Sequence, residues 1–172
     1  MSNAQDQAQS QYDNIVTMLA AVDLDWSRLE ELRDDQAQWV DDHVSSTNMT
    51  PATARTLWVD AFPVEAAELT ALEAAAGDCT DLDEAQQRIY EDRLSVDVRS
   101  DWVAPGEDMT AGEFRIVLCT GGPAVQIRGE MDQYGNPCRA WLEYQDWGTP
   151  WTQWYGAEQA VLVRYASHFL GA

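Results

Sequence analysis

The sequence contains no lysine. All ten basic side chains among its 172 residues are arginines, set against 30 acids, for a formal net charge of −20. Neutralising a phosphate backbone or a lipid headgroup layer needs clustered cations, so this balance argues against direct binding of DNA, RNA or an anionic membrane. Cysteine is also scarce. Cys79, Cys119 and Cys138 are odd in number, contain no Cys-x-x-Cys and match no zinc-module spacing. Reduced thiols are expected, with a Cys3His zinc site drawing in His168 as the metal alternative. The two histidines, His43 and His168, stand apart. No apolar run approaches the ~20 residues of a membrane span, and the first eleven residues carry neither the basic nor the apolar stretch of a signal peptide. Gly121-Gly122-Pro123 is too short for a phosphate loop and is followed by no lysine, which leaves it as a hairpin turn. No Ser/His/Asp order, paired catalytic carboxylates or His-x-x-His spacing occurs. These absences point to a cytoplasmic protein that is not an enzyme and uses neither metal nor cofactor.

What is present is an ordinary hydrophobic fraction of 45%, and a chain long enough to bury roughly 70% of its unfolded surface in one core. Residues 1–11 are polar and are expected to be disordered. Residues 12–172 are expected to form one α+β domain, in which an acidic helical half (12–93) precedes a sheet with a C-terminal helix (94–172). In the first half, apolar positions recur every three to four residues. The pattern predicts a helix from Tyr12 to Val22 and a second one capped by Asp23 or Asp25 and running to about His43. A third starts at Thr50-Pro51, is interrupted at Pro63 and ends at Gly77. A short helix follows, from Asp81 to about Asp92. Beyond residue 93 the period changes to two. Segments 94–98, 114–119, 124–130 and 139–145, joined by hairpin turns, predict a four-stranded antiparallel meander. One of its faces is covered by a helix over 157–170 and part of the helical half.

The charge divides unevenly across the same cut. Residues 1–93 hold 20 acids and five arginines, a net of −15; residues 94–172 hold ten acids and five arginines, a net of −5. The densest window carries Asp23, Asp25, Glu30, Glu31, Asp34, Asp35, Asp41 and Asp42 against Arg28 and Arg33. Such a helix can display carboxylates at a density comparable to the phosphates of DNA and so occupy the basic groove of a DNA-binding protein. The plainer alternatives are a solvated helix face, adaptation to high salt, or the bias of a GC-rich genome. A second feature is the aromatic run Trp141, Tyr144, Trp147, Trp151, Trp154 and Tyr155. These side chains either fill the corner between sheet and last helix or, at Trp147 and Trp151, anchor a partner or stack on a sugar or base. Arg99, Arg115, Arg128 and Arg139 fall one per strand. With Glu113, Glu130 and Glu143 they read as cross-strand ion pairs or, more sharply, as a small-anion site.

The segment Cys119-Thr-Gly-Gly-Pro-Ala-Val125, then Gly129-Glu130, Tyr134-Gly135 and Ala140-Trp-Leu-Glu-Tyr-Gln-Asp-Trp-Gly-Thr-Pro-Trp151, resembles a family of small uncharacterised proteins of tailed bacteriophages. Leu94-Ser-Val-Asp-Val-Arg99 fits the same pattern. The likeness covers about the last 80 residues. It implies a phage or prophage product acting in the bacterial host cytoplasm, raises the prospect of an anti-defence role, and transfers no activity and no catalytic residue. The functional expectation is an inhibitor that binds a host protein through the acidic face, as a nucleic-acid mimic of the kind that blocks restriction or CRISPR effectors. The partner is a host protein with a basic nucleic-acid-binding surface; a homodimer is left open. The alternative is a small-ligand or protein-binding module built on the loop around Trp147 and Trp151.

Overall fold

The computed structural model describes residues 3–100 and 102–171, which form two compact units. One is the continuous segment Ala20–Ala85; the other combines the described residues up to Leu19 with those from Gln86 onward. The first helix, α1 (Asn3–Val22), and the fifth, α5 (Leu82–Asp92), each run from one unit into the other. The cut therefore differs from the expected division at residue 93.

The continuous unit is helical. In α2 (Trp26–Thr47), the Asp25 carboxylate caps the start by accepting from the Arg28 N–H at 3.0 Å, and Asn48 ends it at φ +57°. Thr50 caps α3 (Pro51–Ala61), with proline in the first turn where its missing N–H costs nothing. Phe62 closes α3 and opens α4 (Pro63–Ala76) with no side-chain cap of its own, and Gly77 ends α4 at φ +59°. Leu29, Leu32, Trp58, Ala66, Leu69 and Ala76 pack into one buried cluster. This unit holds 16 acids against Arg28, Arg33 and Arg55, a net of −13 of the chain's −20.

The other unit is an antiparallel sheet with helices. Its strands β1 (Ser95–Ser100), β2 (Ala111–Cys119), β3 (Ala124–Met131), β4 (Pro137–Gln145) and β5 (Thr152–Trp154) lie in sequence order, followed by α6 (Gln159–Ala166) against β4. The α+β class holds, with five strands where the pattern predicts four. Trp154 sits opposite Leu142 and its ring lies 5.5 Å from that of Tyr12, which gives this three-residue strand its anchor. Ile116, Ile127 and Leu142 form a fully buried row across the sheet. In the next row Gly129 stands between Phe114 and Ala140, and a Cβ there would fall 2.2 Å from the Arg139 carbonyl oxygen and 2.3 Å from the Phe114 ring.

The polar N-terminal stretch is also helical, contrary to the expected disorder of 1–11; α1 begins at Asn3 (Met1 and Ser2 lie outside the described residues). Ala4 and Ala8 are fully buried and continue the stripe of Tyr12, Ile15 and Leu19 at intervals of three and four. Small residues among glutamines hid an apolar face. The Tyr12 hydroxyl accepts from the Glu158 N–H at 3.1 Å.

A polar network lies inside this unit. The Tyr165 hydroxyl donates to Asp92 at 2.7 Å and Asn14 donates to the other carboxylate oxygen at 3.0 Å. Burial raises the Asp92 carboxyl above its ordinary range, and burial, then the adjacent Asp92 charge, raises the Tyr165 phenol far above 10. A hydrogen bond to a charged group is worth about 1.5–3 kcal/mol, so Tyr165→Phe is expected to lower unfolding free energy by that amount at pH 8. In the wild type the unfolded chain ionises this phenol above pH ~10 while the folded one does not. Stability is therefore intact below that value and falls above it by about 1.4 kcal/mol per pH unit. The deficit of Tyr165→Phe should narrow accordingly in urea titrations between about pH 9 and 11. A deficit that stays constant over that range contradicts the network.

Candidate functional site

An α-helix turns 100° per residue. On α2 this places Glu30, Asp34 and Asp41 in one stripe and Glu31, Asp35 and Asp42 in a second, together covering an arc of about 140°. The buried Leu29, Leu32 and Val40 lie on the opposite side. All six acids are exposed, as are Asp23 and Asp25 before the helix start. Arg28 is engaged: it bonds Glu31 at 2.7 Å and donates to both oxygens of Glu68 at 2.8 and 3.1 Å. The hydrogen bonds from this guanidinium hold the Glu68 carboxyl below its ordinary value. Arg33 reaches Glu73 at 3.4 Å. Glu30, Asp34, Asp35, Asp41 and Asp42 have no hydrogen-bond or ion-pair partner among the described residues.

The spacing decides what such a face resembles. Six carboxylates between Glu30 and Asp42 span ~18 Å of helix axis, one per ~3 Å. A single DNA strand places one phosphate per ~3.4 Å, and the duplex one per ~1.7 Å. The array therefore matches one strand, at about half the charge density of the duplex. It carries a local cost, since Glu30/Asp34 and Glu31/Asp35 are like-charge i,i+4 pairs, each unfavourable by a few tenths of a kcal/mol.

Beside these acids lies a groove that the sequence reading missed. Asp35, Trp39 and Asp42 recur at i, i+4 and i+7 and so share one side of α2. They line a cavity of about 350 Å³ with Trp58 of α3, Phe62 at the joint and Glu65 of α4. The Trp39 ring stacks on His43 at 3.5 Å and meets Phe62 edge-on at 6.3 Å; Phe62 tilts against Trp58 at 6.0 Å. An entering cation meets aromatic faces, worth about 0.5–2 kcal/mol, and three carboxylates that can accept charge-assisted hydrogen bonds. Trp39 is half-buried and also packs against the Leu29 and Leu32 cluster, so one side chain serves both the core and the groove. The signal available was its flanking acids, four residues before and three after.

The two tryptophans expected to act together face different surroundings, in the other unit. Trp147 is 78% exposed and its indole lies against Gly122, where a Cβ would come 1.8 Å from the ring nitrogen; only glycine also suits φ +111° there. Trp151 borders a cavity on the polar face of the sheet. The aromatic side chains that share a site with the α2 carboxylates are instead Trp39, Trp58 and Phe62.

The four strand arginines do share that polar face. Arg99 stands opposite Glu113, Glu130 opposite Arg139, and Arg115 opposite Arg128. Ion pairs join Arg99 and Arg128 to Glu113, Arg115 to Asp97, and Arg139 to Glu130. Glu143, expected among these pairs, instead accepts from Trp141 and Gln126, each at 2.8 Å. Cys79 belongs to the helical unit and Cys119 and Cys138 to the other. Among the described residues no group of three or more His, Cys, Asp or Glu is placed to hold a metal ion, and no helix is long and apolar enough to cross a membrane.

Comparison with protein-family models, with curated proteins and with solved structures gave no match.

Proposed function

We propose that this chain is a phage-derived, non-enzymatic inhibitor that occupies a basic nucleic-acid-binding surface of a bacterial host protein, acting in the host cytoplasm. Restriction and CRISPR effectors are the candidate targets. The observation that carries the reading is the α2 face: five exposed carboxylates without partners, set at the spacing of one nucleic-acid strand beside an aromatic groove. The carboxylates supply long-range attraction and set the encounter rate. The groove takes an arginine or lysine side chain of the target, whose desolvation against Trp39 and Phe62 prolongs the complex. Stacking over an indole and pairing with carboxylates are both arginine's preferred modes.

The test uses the full chain as bait in a bacterial lysate, followed by the purified partner. The partner is expected to bind DNA by itself, and duplex or single-stranded DNA is expected to displace it from the bait. Affinity should drop by at least about tenfold as the Debye length shrinks from about 30 Å at 0.01 M salt to about 10 Å at 0.1 M. A partner with no affinity for nucleic acid, or one that binds equally at both salt concentrations, rejects the reading.

A further inference from the structure

The polar face of the sheet carries a cavity of about 510 Å³, within the range of small-molecule sites. Its charged lining is Arg99, Arg115 and Arg128 with Asp97 and Glu113, a local net of +1 in a chain of −20. Arg115 and Arg128 are direct cross-strand partners. Like charges in that relation destabilise a sheet, and adjacent strands lie only about 4.8 Å apart. Both arginines line the cavity, Arg115 turned toward Asp97 and Arg128 toward Glu113 and the Trp141 ring, whose centroid lies 5.9 Å from its guanidinium carbon.

Their counter-ions leave most of the donors uncommitted. Each guanidinium carries five N–H groups. Arg115 gives two to Asp97, at 3.2 and 2.9 Å, and Arg128 and Arg99 give one each to Glu113. No other acceptor among the described residues is bonded to them. Two such forks side by side suit the several oxygens of a phosphate.

The rest of the cavity is built for a ring. Trp151 borders it, 39% exposed. Gln126 lines it and is only 4% exposed. Its amide is oriented, because Nε2 donates to Glu143 at 2.8 Å and Glu143 is itself held by the Trp141 indole N–H at 2.8 Å. That fixes Oε1 as an acceptor with no bonded donor among the described residues. Gln126 and Arg128 are two residues apart on β3, about 7 Å along the strand, on the same face. An anion fork and a buried acceptor beside an indole are thus separated by roughly the length of one sugar.

We propose that this cavity binds a nucleoside monophosphate unit whose base carries an exocyclic amine. The phosphate lies between Arg115 and Arg128, the base stacks on Trp151, and its amine donates to Gln126 Oε1. This site lies in the sheet unit and is independent of the acidic face of α2. Stacking on an aromatic side chain contributes about 1–3 kcal/mol per base.

The experiment is calorimetric titration of the full chain with adenosine 5′-monophosphate, cytidine 5′-monophosphate, uridine 5′-monophosphate, adenosine and inorganic phosphate. Saturable binding of the adenine and cytosine nucleotides is expected. Uridine 5′-monophosphate, adenosine and phosphate should each bind at least tenfold more weakly. Arg115→Gln with Arg128→Gln should lose at least tenfold for the adenine nucleotide, and Trp151→Ala should lose it for the nucleotide while leaving inorganic phosphate unchanged. Circular dichroism confirms that each variant is folded; Gln126→Leu, which keeps side-chain bulk, replaces any that is not and should erase the preference over uridine. Absence of saturable binding by either amine-bearing nucleotide overturns the proposal. Equal binding of phosphate alone, or unchanged binding by the arginine pair variant, also overturns it.

Discussion

Replacing Gly129 by alanine should unfold the sheet unit at temperatures where the wild type is intact. The added methyl meets a backbone oxygen at 2.2 Å and an aromatic ring at 2.3 Å. Real Cβ atoms do not approach that closely, so something must move. The Arg139 carbonyl belongs to β4, which pairs with β3 at this row, and Phe114 is 2% exposed within the core of β2. Neither is the free end of a flexible side chain. Overpacking a core typically costs about 1–3 kcal/mol; a clash with ladder backbone belongs at or above the upper end, against a total stability of roughly 5–15 kcal/mol. Thermal unfolding followed by near-UV dichroism, to which five of the eight tryptophans contribute from this unit, should show its transition shifted down by at least about 10 °C. A shift of a degree or two would mean that Phe114 and β4 yield more easily than their packing suggests. Alanine at Gly135, where a Cβ meets nothing within 4 Å, is the natural comparison. Its only strain is the positive φ of +83°.

Neutralising Glu30, Asp34, Asp35, Asp41 and Asp42 together, as Gln and Asn, should separate binding from folding. None of the five makes a hydrogen bond or ion pair among the described residues, so the fold loses nothing when their charges go. Removing Glu30/Asp34 and the Asp35 end of Glu31/Asp35 relieves about 0.2–0.5 kcal/mol per pair. The variant should melt at or slightly above the wild-type temperature. Capture of a basic partner should weaken by at least about 100-fold at low salt, since steering alone separates association rates of about 10⁸ from 10⁶ M⁻¹s⁻¹. Surface plasmon resonance resolves this into the on-rate. A variant of raised stability and unchanged affinity would make the acids a solvated surface and nothing more.

Local chemistry made the helix ends legible in the sequence. Asp25, Thr50-Pro51, Pro63 and Gly77 each satisfy or remove a particular orphan backbone group, and each marks an observed boundary. β2, β3 and β4 were legible because one face is buried and the other polar, which imposes alternation; β1 alternates in sequence although none of its residues is fully buried. The part of α1 before Tyr12 escaped because alanines at 4 and 8 are too small to register as an apolar stripe, although both are fully buried. β5 escaped because three residues cannot show a period. The groove at Trp39 and the cavity at Arg115 and Arg128 share a different reason. Each is assembled from elements whose pairing is set by packing and register, and the arginines were visible as one per strand long before their opposition across β2 and β3 was.

The contact between Tyr12 and Glu158 bears on the order of events during synthesis. The acidic unit is one uninterrupted stretch, so it has every residue it needs once Ala85 has left the ribosome. The unit whose segments flank it in sequence does not: α1 is made first, yet its hydroxyl partner at 158 and the Tyr165 that completes the Asp92 network follow 73 to 80 residues after Ala85. At 5–20 residues per second that interval is about 4 to 16 s, long against the micro- to millisecond folding of small helical units. The acid-bearing helices fold while the N-terminal half of α1 still waits for its sheet. The charged surface exists before the sheet unit is closed.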